Sequence, residues 1–144
     1  TVLPHIYGEQ CLDVGTGAGL PGFILALAQP QLNWVLLDSN KKKIRFLNQA
    51  ILELKPENIE TMHSRCEDYQ PRFKFSTIIC RALTSLASFR NSALPLIQED
   101  GRFLAMKGSR PEKELLELES LDLNYSIHSL KIPGLDAERH IVVF

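Results

Sequence analysis

Short apolar runs alternate with segments of helical periodicity along most of the chain. Apolar runs bounded by turn residues indicate buried strands, whereas apolar residues spaced three or four apart indicate helices. The pattern predicts strands over residues 11–14, 33–37, 59–63, 75–80 and 101–106, and two further strands over 125–132 and 138–144. Helices are predicted over residues 22–28, 41–55, 86–97 and 111–120. For the last helix, Ser109 is the expected N-cap, Pro111 the first-turn proline and Glu112 the capping-box acid.

The alternation of strands and helices predicts the architecture of the chain. Such units form mostly parallel sheets with helices on both faces, and ligands bind at the carboxyl ends of the strands. Only the turn-prone Pro133 and Gly134, and no helix, mark the connection between the last two strands. These strands are therefore expected to form an antiparallel hairpin at one side of the sheet. With 144 residues, 44% of them hydrophobic, residues 1–144 are expected to form a single domain.

A glycine-rich turn, in the stretch CLDVGTGAGLPG, follows the first strand directly. Its glycines permit positive φ angles and let a ligand approach the backbone, while the helix that follows offers free N–H groups. The spacing fits two registers, Gly15-x-Gly17-x-Gly19 and Gly17-x-Gly19-x-x-Gly22, so a dinucleotide and an adenosyl cofactor both remain open. A P-loop is excluded because no Gly-Lys-Ser/Thr follows. Asp38, at the end of the second strand, is suited to bind the ribose hydroxyls of either cofactor.

Two features favour S-adenosylmethionine over a dinucleotide. Only about 100 residues follow Asp38, which leaves little chain for the substrate domain of an oxidoreductase. Cys66, Glu67 and Asp68 follow the third strand, where the adenine would lie if Asp38 held its ribose. The Cys66 backbone and the Glu67 carboxylate are candidates to bracket the adenine; a solvated acidic turn is the alternative.

Composition limits the remaining classes of function. A formal net charge of −1 at pH 7 gives no general attraction to nucleic acid, so an RNA partner must be held by a local basic patch. The three cysteines are odd in number and widely spaced, which favours reduced thiols in a cytosolic protein and predicts no metal site. The sequence shows no signal-peptide pattern and no apolar run near the roughly 20 residues that span a bilayer. Because the chain begins at Thr1 rather than Met, we expect an N-terminal region to be missing.

Basic residues near the carboxyl edge of the sheet are candidate RNA contacts. They are Lys41, Lys42, Lys43 and Arg45 at the start of the second helix, Lys107 and Arg110 after the fifth strand, and Arg139 in the last strand. Their position suits phosphate anchoring, and a solvated helix face is the alternative for the first four. Arg81, at the mouth of the fourth strand, is suited to hold a carboxylate, a guanine or a phosphate, or to pair with Glu67 or Asp68.

Five segments carry a resemblance to a known family: DVGTGAGLPG, LLDSNKKKIRFLNQAI, SRCEDY, ICRALTSL and ERHIVVF. Together they resemble the bacterial glucose-inhibited division protein B family, the small-subunit rRNA guanine-N7 methyltransferases. The resemblance implies an α/β, Rossmann-like class I methyltransferase fold, S-adenosylmethionine as donor and a guanine of 16S rRNA as acceptor. By position it implies cofactor contacts at Gly15, Leu20, Cys66, Glu67 and Arg81. Members of the family carry a further N-terminal helical region that this chain lacks, and many have a proline in place of Ala18.

The implied chemistry fits the catalytic groups that the sequence does not offer. Guanine N7 has an in-plane lone pair and no proton to remove, so methyl transfer to it needs positioning rather than a general base. The Asn/Asp-Pro-Pro-Tyr/Phe segment of amine methylation is replaced by Cys80-Arg81-Ala82-Leu83, and Cys80 lacks the Pro-Cys context of cytosine C5 methylation. We expect a monomeric cytoplasmic enzyme acting on 16S rRNA or the small ribosomal subunit. The competing hypotheses are a nicotinamide-dependent oxidoreductase and a non-catalytic nucleotide- or RNA-binding module.

Overall fold

The computed structural model describes residues 2–81, 85–132, 134 and 136–144. Ala82, Leu83 and Pro133, which enter the sequence analysis, lie outside the described residues. The strands in the described part are β1 Gln10–Val14, β2 Asn33–Asp38, β3 Ile59–His63, β4 Phe75–Arg81, β5 Ile97–Lys107, β6 Ser126–Ser129 and β7 His140–Val143. The helices are α1 Gly22–Ala28, α2 Lys41–Leu54, α3 Leu86–Ala93 and α4 Glu112–Ser120, with short 3-10 turns at Leu3–His5 and Leu94–Leu96.

All of these strands join one sheet, in the order β3-β2-β1-β4-β5-β7-β6. The pairs β1–β2, β1–β4, β2–β3 and β4–β5 are parallel, whereas β7 runs antiparallel to both β5 and β6. This confirms the predicted mostly parallel sheet with an antiparallel hairpin at one side. Because the first five strands are parallel, the carboxyl ends of β1 to β5 meet at the same edge of the sheet.

Helices cover both faces of the sheet because its central strands are apolar on both sides. Leu36 of β2 packs with Ile44 and Leu47 of α2 on one face. The next side chain along β2, Leu37, belongs to a core cluster on the other face that includes Phe89 of α3. Neighbouring strand residues thus bury opposite faces, as the period of two requires. Helices packed on both faces thus support the sheet, and the carboxyl ends of its parallel strands lie between these two helical layers.

Two local predictions are wrong at the start of β5 and of α4. The third helix ends at Ala93 rather than at Ile97, because the proline in Leu94–Leu96 starts a 3-10 turn. Ile97 instead begins β5 and pairs with Phe75, with a register shift before Thr77. The α4 helix begins at Glu112 without a side-chain cap, so Ser109 does not serve as its N-cap. The hairpin strands β6 and β7 are also shorter than predicted.

Candidate active site

The glycine-rich loop leaves β1 at its carboxyl end and is anchored to the neighbouring strand. The N–H groups of Gly15 and Thr16 donate hydrogen bonds to the carbonyl oxygen of Leu37, at 2.9 and 3.1 Å. Gly15, Gly17 and Gly19 have φ angles of 68, 60 and 87°, in the left-handed region that favours glycine. The sequence therefore places glycine where this turn requires a backbone conformation that other residues adopt only with strain.

Asp13 holds the loop from beneath. It is 1% exposed, and its Oδ2 accepts hydrogen bonds from the Thr16 hydroxyl at 2.7 Å and from the Gly22 N–H at 2.8 Å. Its Oδ1 has no partner among the described residues. Burial raises the pKa of Asp13 to about 6, although its hydrogen bonds and the nearby charge of Arg81 act in the opposite direction. One buried carboxylate thus joins β1, the loop and the first turn of α1.

Asp38 holds the loop from the side of β2. Its Oδ2 accepts a hydrogen bond from the Gly17 N–H and its Oδ1 accepts one from the Asn40 N–H, both at 2.8 Å. An ionised carboxylate has about four acceptor sites, so two backbone bonds leave capacity for two more. Asp38 is half-buried, and its remaining acceptor sites fit the two hydroxyls of a ribose.

A cleft of about 360 Å³ opens beside Asp38 at the carboxyl ends of β1, β2 and β3. This volume falls within the range of about 300–1,000 Å³ that is usual for small-molecule sites. The cleft is lined by Val14, Gly15, Leu37, Asp38, Ser39, Ser64, Arg65, Cys66, Glu67, Ser88 and Ser92. The wall of the cleft combines oxygen-bearing side chains with aliphatic side chains and a glycine, a lining that suits a polar nucleoside.

The structure gathers several of the predicted cofactor residues in this cleft. Gly15, Asp38, Cys66 and Glu67 line it, and Gly17 reaches it through its hydrogen bond to Asp38. The other three predicted cofactor residues are not among the residues that line the cleft. Gly19 is buried in the loop, Leu20 is 40% exposed at the loop's end, and Arg81 is exposed at the end of β4.

Besides the apolar Val14 and Leu37, sequence reasoning missed five polar residues that line the cleft: Ser39, Ser64, Arg65, Ser88 and Ser92. The first three follow directly after β2 or β3, so their place at the carboxyl edge was available as a signal. Ser88 and Ser92 lie one turn apart on α3, and their approach to the cleft depends on how that helix packs. The Cys66 thiol contacts the Ser92 carbonyl oxygen at 3.5 Å, which joins the loop after β3 to α3.

The predicted RNA contacts fall into two groups. Lys41, Lys42, Lys43 and Arg45 are exposed at the start of α2, and none of them forms an ion pair within the described part of the chain. The others have protein partners: Lys107 Nζ pairs with Glu114 at 2.7 Å, Arg110 pairs with Glu112 at 2.7 Å, and Arg139 donates to the Glu138 carbonyl oxygen. Carboxylates thus offset the charges of Lys107 and Arg110, whereas the basic side chains on α2 face solvent.

The cysteines are buried and free rather than bonded to each other. Burial raises the pKa of Cys11 to about 12 and that of Cys66 to about 11, and it raises that of Cys80 further. The thiols therefore remain protonated and weakly nucleophilic at neutral pH. Among the described residues, no group of three or more His, Cys, Asp or Glu is placed to hold a metal ion. In that same part of the chain, no helix is long and apolar enough to cross a membrane.

The family model described as GidB, rRNA small subunit methyltransferase G, matches residues 1–142. The chain belongs to this family. It is similar to the ribosomal RNA small subunit methyltransferase G of Marinobacter nauticus, with 46% identity over 143 residues. That alignment covers 99% of this chain and 67% of the relative. The resemblance seen in the sequence is thus confirmed over nearly the whole chain.

Solved structures with little sequence similarity share the fold. One is the precorrin-6y C5,15-methyltransferase of Geobacter metallireducens, with a TM-score of 0.73 and 10% identity over 96% of this chain and 81% of that one. Another is coclaurine N-methyltransferase bound to N-methylheliamine and SAH, with a TM-score of 0.63 and 14% identity over 71% of this chain and 32% of that one. The expected class I methyltransferase fold is thereby confirmed.

Proposed function

We propose that this chain transfers the methyl group of S-adenosylmethionine to N7 of a guanine in 16S rRNA. The observation that carries the proposal is the cleft beside Asp38 and the glycine-rich loop, in a chain that belongs to the rRNA small subunit methyltransferase G family. The nicotinamide alternative lacks support, because the family and the relatives in the comparison are methyltransferases.

The residues of the cleft fit an adenosyl group. Asp38 retains two acceptor positions for the ribose hydroxyls, and Gly15 and Gly17 bring the loop backbone close to the ribose and its substituent. The Cys66 backbone and the Glu67 carboxylate line the same cleft and are assigned to the adenine. Arg81 and Leu20, on the loop side of the edge, are assigned to the methionine part, where the guanidinium suits a carboxylate.

Methyl transfer to guanine N7 mainly requires that the donor and the base be positioned correctly. The bound cofactor supplies an electrophilic methyl group on a sulfonium centre. Guanine N7 attacks in line with its own lone pair, so the chain must orient the base and exclude water rather than remove a proton. Asp38 and the loop fix the donor. No cysteine nucleophile is needed because N7 attacks with its own lone pair, and burial makes Cys66 a weak nucleophile by raising its pKa to about 11.

Phosphate contacts are assigned to the exposed basic cluster Lys41, Lys42, Lys43 and Arg45 at the start of α2. This helix begins three residues after Asp38, so its first turn adjoins the cleft edge. A local cluster is needed because the net charge of the chain is −1. Lys107, Arg110 and Arg139 are assigned secondary contacts, because each already has a protein partner. With rRNA as the substrate, we expect the activity in the cytoplasm.

The proposal is tested by transfer of labelled methyl groups to 16S rRNA and to small subunits, followed by mass mapping of the modified nucleotide. We expect a single methylated guanine whose label is at N7; labelling of another base or of an exocyclic amine would refute the proposal. Asp38→Ala should weaken cofactor binding by about 1–3 kcal/mol in calorimetric titration. Light scattering tests the expected monomer.

The basic cluster has its own test with a matched control. Lys42→Glu together with Lys43→Glu should weaken RNA association and lower the slope of its salt dependence by about one per lost phosphate contact. Cofactor affinity should stay unchanged. Lys55→Glu together with Lys74→Glu is the control, because it makes the same change of charge at two exposed lysines away from the carboxyl edge, one directly after α2 and one directly before β4. Equal effects of the two changes on RNA binding would show that only total charge matters.

A further inference from the structure

The wall of the cleft has no aromatic ring among the described residues that line it. Adenine presents two flat faces, and proteins commonly cover such faces with aromatic rings or with the plane of an arginine guanidinium. The lining holds glycine, aliphatic, serine and cysteine side chains, two carboxylates and a single guanidinium, that of Arg65. Arg65 is therefore the planar cation available to an adenine in this cleft.

The backbone of Arg65 is fixed at the place where the adenine is expected. Arg65 lies two residues after the end of β3, and the preceding residue, Ser64, donates its N–H to the Asp38 carbonyl oxygen at 3.3 Å. The Arg65 carbonyl oxygen accepts hydrogen bonds from the Ser64 hydroxyl at 2.9 Å and from the Asp68 N–H at 3.3 Å. Asp38 and Arg65 are thus linked by one backbone hydrogen bond and the peptide bond between Ser64 and Arg65.

The Arg65 side chain is not held by an ion pair among the described residues, and it separates two neighbouring hollows. It is exposed, and it forms no ion pair within residues 2–81, 85–132, 134 and 136–144. It lines both the cleft and an adjoining hollow of about 310 Å³, whose other lining residues are Ser39, His63, Ser64 and Asp68. A side chain shared by two hollows can cover a ligand in one of them by a change of rotamer alone.

We propose that the Arg65 guanidinium stacks on the adenine of the bound cofactor and closes the outer side of the cleft. This assignment rests on the proposed function, since it requires an adenosyl ligand whose ribose is held by Asp38. With the ribose there, the base extends toward the segment from Ser64 to Glu67, which lines the cleft. A guanidinium over a ring face gains both stacking and cation–π attraction, and it is weakly hydrated, so its desolvation costs little.

If Arg65 stacks on the adenine, its contribution to binding affinity should depend on the adenosine part of the ligand and not on the amino-acid part. Calorimetric titrations compare S-adenosylhomocysteine with 5′-methylthioadenosine, which has the same adenosine but no amino-acid carboxylate. Arg65→Ala should weaken binding of both ligands by the same factor, about 5- to 30-fold. Arg65→Lys keeps the charge but loses the plane, so it should recover little of that loss. Arg72→Ala is the matched control, because Arg72 is also an exposed arginine of the same loop but lies outside the cleft lining.

Each outcome decides the assignment. A loss confined to S-adenosylhomocysteine would mean that Arg65 binds the carboxylate, and unchanged affinity for both ligands would mean that it contacts neither part; both results overturn the proposal. Full recovery by Arg65→Lys would show that charge suffices and would also overturn the stacking. Failure of the unchanged protein to bind either ligand would refute the proposed function itself, and the assignment with it. Thermal unfolding of Arg65→Ala checks that this exposed change leaves the fold intact.

Discussion

Gly22 occupies the tightest point beneath the glycine-rich loop. A Cβ atom added there would lie 2.6 Å from the Asp13 Cβ, 2.6 Å from the Asp13 Oδ2 and 2.6 Å from the Leu36 Cδ2. Asp13 and Leu36 are 1% and 0% exposed, so neither side chain has free space into which it can move. Gly22→Ala therefore forces apart the first turn of α1 and the end of β1, and it breaks the 2.8 Å hydrogen bond from the Gly22 N–H to Asp13.

The size of the effect follows from three contributions. Overpacking of a full core costs about 1–3 kcal/mol. Loss of a hydrogen bond to a charged group adds about 1.5–3 kcal/mol. In the opposite direction, alanine lowers the conformational entropy of the unfolded protein, which stabilises the fold by about 0.4–1 kcal/mol. Because Gly22 lies outside the left-handed region, no backbone strain enters, and we expect a net loss of about 3 kcal/mol in the free energy of unfolding.

Urea unfolding measures this loss. With a slope of about 1–3 kcal/mol/M for a small protein, the midpoint should fall by about 1–3 M. Gly108→Ala is the control, because an added Cβ at Gly108 meets nothing within 4 Å. Should the two variants unfold at the same urea concentration, the close contact of Gly22 with Asp13 and Leu36 would not limit stability, and the reasoning would be wrong.

Three further predictions concern buried or paired groups. The pKa of Asp13 is raised from 3.8 to about 6, so the stability associated with its protonated form is complete below pH 4 and is lost as the pH rises through 6, by up to about 3 kcal/mol. Asp13→Asn should flatten this part of a urea-midpoint profile between pH 4 and 7; an unchanged slope would show that Asp13 is not the source of the pH dependence. Cys11 and Cys80 should react with a thiol reagent at neutral pH only as fast as the protein opens, and rapid labelling of either one in the native protein would contradict their burial. Glu114→Gln should cost about 1–3 kcal/mol in thermal unfolding, because the Glu114 carboxylate pairs with Lys107 and accepts the Leu86 N–H at the start of α3; a glutamine variant as stable as the parent would refute this role.

The sequence was sufficient to predict the parts of the molecule that local rules determine. Strand β3 and helix α1 have the predicted limits, and α2 ends one residue before the predicted Lys55, which takes a left-handed φ of 48°. Gly15, Gly17 and Gly19 have the positive φ angles that a glycine-rich turn permits, whereas Gly22 does not. Asp38 lies in the cleft because an acid at the end of β2 necessarily reaches the carboxyl edge.

Other features depend on contacts between distant segments, which the sequence pattern does not contain. The partner of Lys107 is Glu114, seven residues away on α4, so its charge is engaged in a way that proximity to the sheet edge could not reveal. The approach of Ser92 to the cleft requires α3 to pack against the loop after β3. The early start of β5 depends on the pairing of Ile97 with Phe75.

The two aspartates explain why cofactor binding and loop order should be coupled. Asp13 fixes the loop from β1 through Thr16 and Gly22, while Asp38 fixes it from β2 through Gly17. A ribose bound to Asp38 would share its carboxylate with that loop contact and withdraw it further from water, which strengthens the remaining hydrogen bonds. The loss of affinity in an Asp38 variant therefore contains two parts, the missing ribose bonds and the cost of ordering a loosened loop. Since the loop has a second, buried anchor at Asp13, the first part should dominate.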